Sequence, residues 1–186
     1  RVHVYNSPHL CEFRERIRLA GSLVSTSELI ALLERCETAN NGAPITFFEI
    51  TTVAALLGFA EVHADLLILE TGLGGLHDST NIIADTACSI ITPIARDHEH
   101  FLGTDLRDIA AQKAGIMRPD RPTIWAKQTA EVAAVLTDTA TAMNSQIFRG
   151  GDDFSWQVNS DKSWHFTWNE ARYTLPAPAL RGAHQY

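Results

Sequence analysis

Glycine is never followed by lysine anywhere in these 186 residues. The phosphate-cradling pattern G-x-x-x-x-G-K-[ST] is therefore absent, and a complete P-loop cannot be made from this chain alone. Long apolar runs are missing too: no stretch approaches the ~18–20 residues that a membrane-spanning helix needs, and the opening Arg1-Val2-His3-Val4 does not read as a signal peptide. Cysteine is scarce. Cys11, Cys36 and Cys88 are odd in number and widely spaced, with no CxxC. That argues against a disulfide framework and for a reducing compartment; all three are expected as small buried hydrophobes. Basic residues are outnumbered, 15 Lys and Arg against 22 Asp and Glu, for a formal charge of −7. This balance argues against a broad nucleic-acid surface, which needs clustered cations, although a few placed cations would still serve a small anionic substrate.

What is present suits one globular domain or slightly more, with 45% hydrophobic and 20% charged residues. Residues 1–10 read as a short strand running into the loop Asn6-Ser7-Pro8-His9, which Pro8 keeps extended or turned. A helix is expected over 27–38, with Ser27 as N-cap and Leu29, Ile30, Leu32 and Leu33 on its apolar face; Asn40-Asn41-Gly42 ends it. A second helix spans 46–62 through Phe48, Val53, Ala55, Leu56 and Phe59. Ala64–Leu69 and Cys88–Ile94 read as strands buried on both faces, as parallel strands are. Helices follow at 105–117 and 129–144, with strands at 122–126 and 147–149. Alternation of this kind predicts an α/β fold with a mostly parallel sheet flanked by helices. Beyond Gly150-Gly151 the pattern becomes alternating polar and apolar, which predicts a small antiparallel ribbon over about 153–175. Both ends of the chain read as cut from a longer protein.

Four segments could carry chemistry. Glu70-Thr71-Gly72-Leu73-Gly74-Gly75 follows a strand, where ligands of open α/β sheets bind and where glycines admit close approach; a plain tight turn explains it as well. Asp97-His98-Glu99-His100 follows the next strand and could hold Mg²⁺ or position phosphate, although Mg²⁺ prefers oxygen to imidazole. A solvated polar loop is the competing reading, and zinc is disfavoured because no third ligand stands at motif spacing. Glu49 lies in an apolar helix and would be costly there unless it is paired, metal-bound or turned to water. Lys113, near a helix end, is accounted for by the helix dipole alone.

Taken together, the segments resemble the folylpolyglutamate synthases of the Mur ligase superfamily. Ser7-Pro8-His9-Leu10 with Glu15-Arg16-Ile17-Arg18 and Gly21 resembles the family's SPHL…ERIR…G stretch. Thr46–Thr52 resembles T-x-F-E-x-x-T, and Glu70–Asn81, ETGLGGLHDSTN, resembles E-V-G-L-G-G-R-x-D-A-T-N. Ile94–Gly103, IARDHEHFLG, resembles I-x-x-D-H-x-x-x-L-G; Lys113–Ile116 matches K-A-G-I, and Leu180–Gln185, LRGAHQ, resembles L-x-G-x-H-Q. Six motifs in the family's order span residues 7–185. The resemblance implies that residues 1–186 are part of a central ATPase domain, with a P-loop segment before it and a C-terminal domain after it, so that the fragment alone is inactive. It implies ATP and Mg²⁺ as cofactors, dihydropteroate or folate and L-glutamate as substrates, amide formation through an acyl phosphate, a monomer, and the cytoplasm.

By matching positions, the resemblance assigns Glu49 and His98 to Mg²⁺. It assigns Lys113, as a carbamate, to a second Mg²⁺, with Lys113 and His98 as catalytic residues. Gly74, Gly75, Asp78, Asn81, His184 and Gln185 fall to the nucleotide, and Ser7, His9 and Arg16 to the substrate. Leu76 stands where the family has Arg, Arg96 where it has an apolar residue, and Glu99 where it has Thr. Two readings compete: a peptidoglycan Mur ligase acting on a UDP-sugar peptide, against which the SPHL…ERIR stretch argues, and a non-catalytic folate-binding remnant, for which Leu76 would be a mark of decay. A generic α/β metal-binding domain is weaker than either.

Overall fold

The computed structural model describes residues 1–180 and residue 182. The chain divides into two compact units, Arg1–Ile83 and Ala84–Tyr186. Among the described residues no helix is long and apolar enough to cross a membrane.

The first unit is built on a four-stranded sheet in the order β3-β2-β1-β4, from β1 (Val2–Tyr5), β2 (Ile17–Leu19), β3 (Ser22–Leu23) and β4 (Leu66–Leu69). Only β1 and β4 run parallel, with Val2 opposite Leu66 and Tyr5 opposite Leu69. The β2–β3 hairpin, closed by Ala20 (φ 50°) and Gly21 (φ 97°), pairs antiparallel to β1 and is not expected from the sequence. Its strands of three and two residues are too short to show a period.

Two helices follow, α1 (Thr26–Asn40) and α2 (Phe47–Glu61). The N-cap of α1 is Ser25, not Ser27. Ser25 and Glu28 form a capping box in which each side chain accepts the other's backbone N–H, and this reciprocal pair places the cap two residues earlier. Asn41 ends the helix in the left-handed region at φ 49°. The stripe that α2 buries is made of small residues, Thr51, Thr52, Ala54, Ala55 and Gly58, while Val53 lies 46% exposed. Small side chains let the helix sit close: a Cβ on Gly58 would stand 3.1 Å from Leu32 and 3.2 Å from Leu19. Tyr5, Ile17, Val24, Leu29, Leu32, Cys36, Ala54 and Ala55 form this core, with Leu69 packed against it. The helices thus cover one face of the sheet. Leu66 and Ile68 point to the other face and are 50% and 52% exposed, so β4 is not buried on both faces as its apolar run suggested.

In the second unit β5 (Ser89–Ile91), β6 (Thr123–Trp125) and β7 (Ile147–Arg149) form an all-parallel sheet in chain order, with Ser89, Thr123 and Ile147 in register. Between them lie the short α3 (Glu99–Leu102), α4 (Leu106–Ala114) and α5 (Ala130–Ala142). The core joins Ile91, Ile94, Ile109, Met117, Trp125, Val132 and Leu136. Ile90 turns away from it and is 63% exposed, so β5 too is buried on one face only. The expected ribbon is present as β8 (Phe154–Val158), β9 (Trp164–Trp168) and β10 (Ala171–Leu175), all antiparallel. Phe154, Trp156 and Val158 stand opposite Trp168, Phe166 and Trp164, which puts five aromatic side chains and Val158 on one face, with the Phe154 ring against those of Trp156 and Phe166. None of the three cysteines forms a disulfide. Cys36 is buried, and burial pushes its thiol pKa up, but Cys88 is half-buried and Cys11 exposed, so the expectation of burial holds for Cys36 alone.

Candidate active site

Because β1 and β4 are parallel neighbours, their carboxyl ends bring together the two loops that follow them, the position where open α/β sheets bind ligands. The Ser7 N–H donates to the Glu70 carboxylate at 2.7 Å, and the Glu70 N–H donates to the Tyr5 carbonyl at 2.9 Å. The SPHL loop and the glycine loop are thereby tied across 63 residues of sequence.

Within the first loop Ser7–Pro8 is a cis peptide. Arg16 Nε donates to His9 Nδ1 at 3.1 Å, and the Arg16 guanidinium lies 5.2 Å from the centre of the Phe13 ring. Of Ser7, His9 and Arg16, assigned together to the substrate, His9 and Arg16 are bonded to each other, while Ser7 is held by Glu70. Glu15 holds that loop in shape: its carboxylate accepts the N–H groups of Leu10 (2.8 Å), Glu12 (3.1 Å) and Cys11 (3.2 Å). These bonds, Leu10's foremost, lower its pKa.

In the glycine loop Gly74 (φ 69°) and Gly75 are buried. Asp78 is spent on the loop itself. Its carboxylate accepts from Leu73 N at 2.8 Å, Thr80 N at 2.9 Å and Thr80 Oγ1 at 2.6 Å. Asn81 Nδ2 donates to the Leu76 carbonyl at 3.1 Å. Both side chains shape the backbone of the glycine loop. Leu76 and His77 are exposed.

Glu49 is exposed at the third position of α2, where its carboxylate accepts the Thr46 N–H at 2.7 Å while the Thr46 hydroxyl accepts the Glu49 N–H. Hydrogen bonding to the Thr46 side chain, then to its backbone, lowers the Glu49 pKa. The carboxylate thus has a partner and faces water, which removes the burial cost inferred from the apolar helix. Glu70, not singled out for metal by the sequence, directly follows β4 and is exposed at that strand end.

In the second unit Asp97, His98, Glu99 and His100 are all exposed. His98 caps α3 in the left-handed region (φ 52°), with Nε2 3.6 Å from the Asp97 carboxylate. Lys113 lies half-buried in the last turn of α4. The turn after it is pinned: Ser89 Oγ donates to the Ile116 carbonyl at 2.8 Å, and the Arg118 guanidinium reaches the Ile116 and Met117 carbonyls, each at 3.2 Å. His184 and Gln185 lie outside the described residues. Among the described residues no three His, Cys, Asp or Glu side chains cluster to hold a metal. An open Mg²⁺ position, filled mainly by phosphates and water with one or two protein ligands, is compatible with that; a closed protein cage is not.

No family model matches the chain. It is 36% identical over 167 residues to the dihydrofolate synthase/folylpolyglutamate synthase of Escherichia coli K12, covering 90% of this chain and 39% of that protein. Escherichia coli FolC solved with DHPP and ADP superposes with a TM-score of 0.87 at 33% identity, over 99% of this chain and 44% of that one. A bifunctional folylpolyglutamate synthase/dihydrofolate synthase solved with Mn, AMPPNP and L-glutamate gives 0.83 at 33% identity, with the same coverage. These likenesses, in sequence and in backbone, extend over nearly all of this chain, which spans about two-fifths of the length of the curated relatives. Over that stretch, the chain belongs to the dihydrofolate synthase/folylpolyglutamate synthase family.

Proposed function

We propose that the protein carrying this chain joins L-glutamate to dihydropteroate or to a folate, using ATP and Mg²⁺, in the cytoplasm. The observation that carries this reading is the tie between Ser7 and Glu70. It sets the SPHL loop beside the glycine loop at the ends of two parallel strands, in a backbone shared with relatives solved with DHPP, adenine nucleotides and L-glutamate. In this reading Ser7, His9 and Arg16 orient the acid substrate. The backbone of Gly74 and Gly75, held by Asp78 and Asn81, faces the nucleotide, to which His184 and Gln185 are also assigned. Glu49, His98 and a carbamylated Lys113 would hold metal. Bound Mg²⁺ would neutralise phosphate charge as a substrate carboxylate attacks the γ-phosphorus. The glutamate amino group would then displace phosphate from the acyl phosphate, and excluding water from the loops protects that intermediate.

One specific observation favours a variant of this assignment. Each carboxylate accepts one backbone N–H, Glu49 from Thr46 and Glu70 from Ser7, but Glu70 directly follows β4, at the carboxyl end of a parallel pair where ligands of open sheets bind; Glu70 is therefore a second candidate for the metal carboxylate. The test is glutamate-dependent ADP release by the full-length protein, with dihydropteroate and with a reduced folate as acceptors. His98→Ala and one of Glu49→Gln and Glu70→Gln should each lower turnover by at least ~100-fold. If wild-type ADP release does not require both glutamate and a pteridine acid, the proposed activity is wrong. Near-normal turnover of any one variant at saturating Mg²⁺ removes that residue from the metal set.

A further inference from the structure

Gly72 is the first glycine of the loop after β4, and it is not there for its backbone. Its φ lies outside the left-handed region, so an L-residue could adopt its conformation; what forbids a side chain is space. A Cβ built on Gly72 would stand 2.2, 2.5 and 2.9 Å from three carbons of the Phe48 ring, when ordinary contact begins at 3.4 Å. The ring would have to retreat by 1.2 Å to restore that contact. It is poorly placed to do so. Phe48 packs against the core of the first unit, with its ring centre 6.1 Å from that of Tyr5. Its carbonyl receives the Thr52 hydroxyl at 2.7 Å and the Thr51 hydroxyl at 3.1 Å, and Thr52 is in turn bonded to the Tyr5 phenol. Phe48 also lies in the first turn of α2, next to Glu49 and inside the Thr46–Glu49 capping box. These carbonyl bonds hold the Phe48 backbone and the core holds its ring beside Tyr5, so a side chain at Gly72 has to displace the ring, the turn that carries it or the glycine loop.

We infer that Phe48 and Gly72 form a positioning pair: the ring seated on the bare Cα sets the spacing between the first turn of α2 and the glycine loop, and through it the alignment of the nucleotide for phosphoryl transfer. The inference deepens the proposed ligase activity and rests on it for the identity of the reaction. A misplacement of about 1 Å can cost ~100-fold in rate without any loss of the reacting groups, and 1.2 Å is the retreat required here.

The experiment is a double-substitution cycle in the full-length protein: wild type, Gly72→Ala, Phe48→Leu and the pair together. Leucine removes the ring carbons that meet the new Cβ. Gly72→Ala should lower kcat by ~100-fold at saturating ATP, and adding Phe48→Leu should recover at least ~10-fold of that loss. A merely structural role predicts fewer folded molecules with kcat per folded molecule unchanged, and that result overturns the inference, as does a double variant no better than Gly72→Ala. If Gly72→Ala does not fold, the double variant must fold and turn over, or the inference fails. Amide hydrogen exchange gives a readout that does not depend on ligase chemistry. Gly72→Ala should speed exchange in both 46–50 and 70–76, and the second substitution should slow it again. Unaltered exchange counts against the pair, whereas altered exchange in a wild-type protein without ligase activity leaves the pair standing and removes the proposed reaction instead.

Discussion

Replacing Thr52 by valine should destabilise the first unit more than replacing Tyr5 by phenylalanine, although the two substitutions delete opposite ends of one hydrogen bond. Both side chains are buried, Tyr5 at 0% and Thr52 at 1% exposure. A threonine hydroxyl carries one proton, and Thr52 gives it to the Phe48 carbonyl at 2.7 Å. The 3.0 Å contact between Tyr5 and Thr52 must then be donated by the phenol. Thr52→Val keeps the shape but strands a buried phenolic O–H, at a cost of about 1–3 kcal/mol. Tyr5→Phe removes the donor and strands no proton, at about 0.5–1.5 kcal/mol. The double variant leaves no stranded group and should cost less than the sum of the singles by about 1 kcal/mol. Tryptophan fluorescence is blind to this, because all four tryptophans (Trp125, Trp156, Trp164 and Trp168) lie in the second unit. Amide hydrogen exchange along Phe48–Glu61, followed in a urea series, reports the opening free energy directly. Equal costs for the two single variants, with simple additivity, would refute the assigned donor direction.

Three further outcomes are expected. Hydrogen bonds from Leu10, Glu12 and Cys11 lower the Glu15 pKa below its ordinary 4.5, so their stabilisation of the SPHL loop is complete above about pH 4.5 and is lost as pH falls through the lower folded value. NMR shifts of those three amides should titrate together with a midpoint below pH 4.5, and that titration should vanish in Glu15→Gln; a midpoint at or above 4.5 contradicts the assignment. Lys113→Ala should abolish ligase turnover in the full-length protein, with partial rescue by short carboxylates, and removing bicarbonate should slow the wild type. A plain helix-end lysine would instead contribute about 1 kcal/mol or less to stability and leave turnover ordinary. Leu136→Ala, at a fully buried position in the Trp125 core, should destabilise the second unit by about 2–5 kcal/mol in denaturant titrations followed by tryptophan fluorescence; a loss under 1 kcal/mol would mean that the site collapses around the cavity.

Much of this was legible without coordinates, where the cause is local. A capping box is written in four consecutive residues: Thr46 and Glu49 announce the start of α2, and Ser25 and Glu28 announce that of α1 more reliably than Ser27 does. Period-two alternation, set by the pleat itself, marked all three ribbon strands, and the alternation of strands and helices marked the parallel sheet of the second unit. The motif residues of the SPHL and glycine loops were visible as strings. Their use was not. Whether Asp78 faces a ligand or holds Leu73 and Thr80, and whether Glu49 is costly or simply capped in water, depends on where backbone N–H groups point. The half-exposure of β4 was hidden because an apolar run does not say which of its faces a helix covers. The tie from Ser7 to Glu70 and the seat of Phe48 on Gly72 join residues 63 and 24 positions apart. Contacts at that separation depend on strand register and on how closely a helix approaches the sheet, and those are fixed only when the whole unit packs.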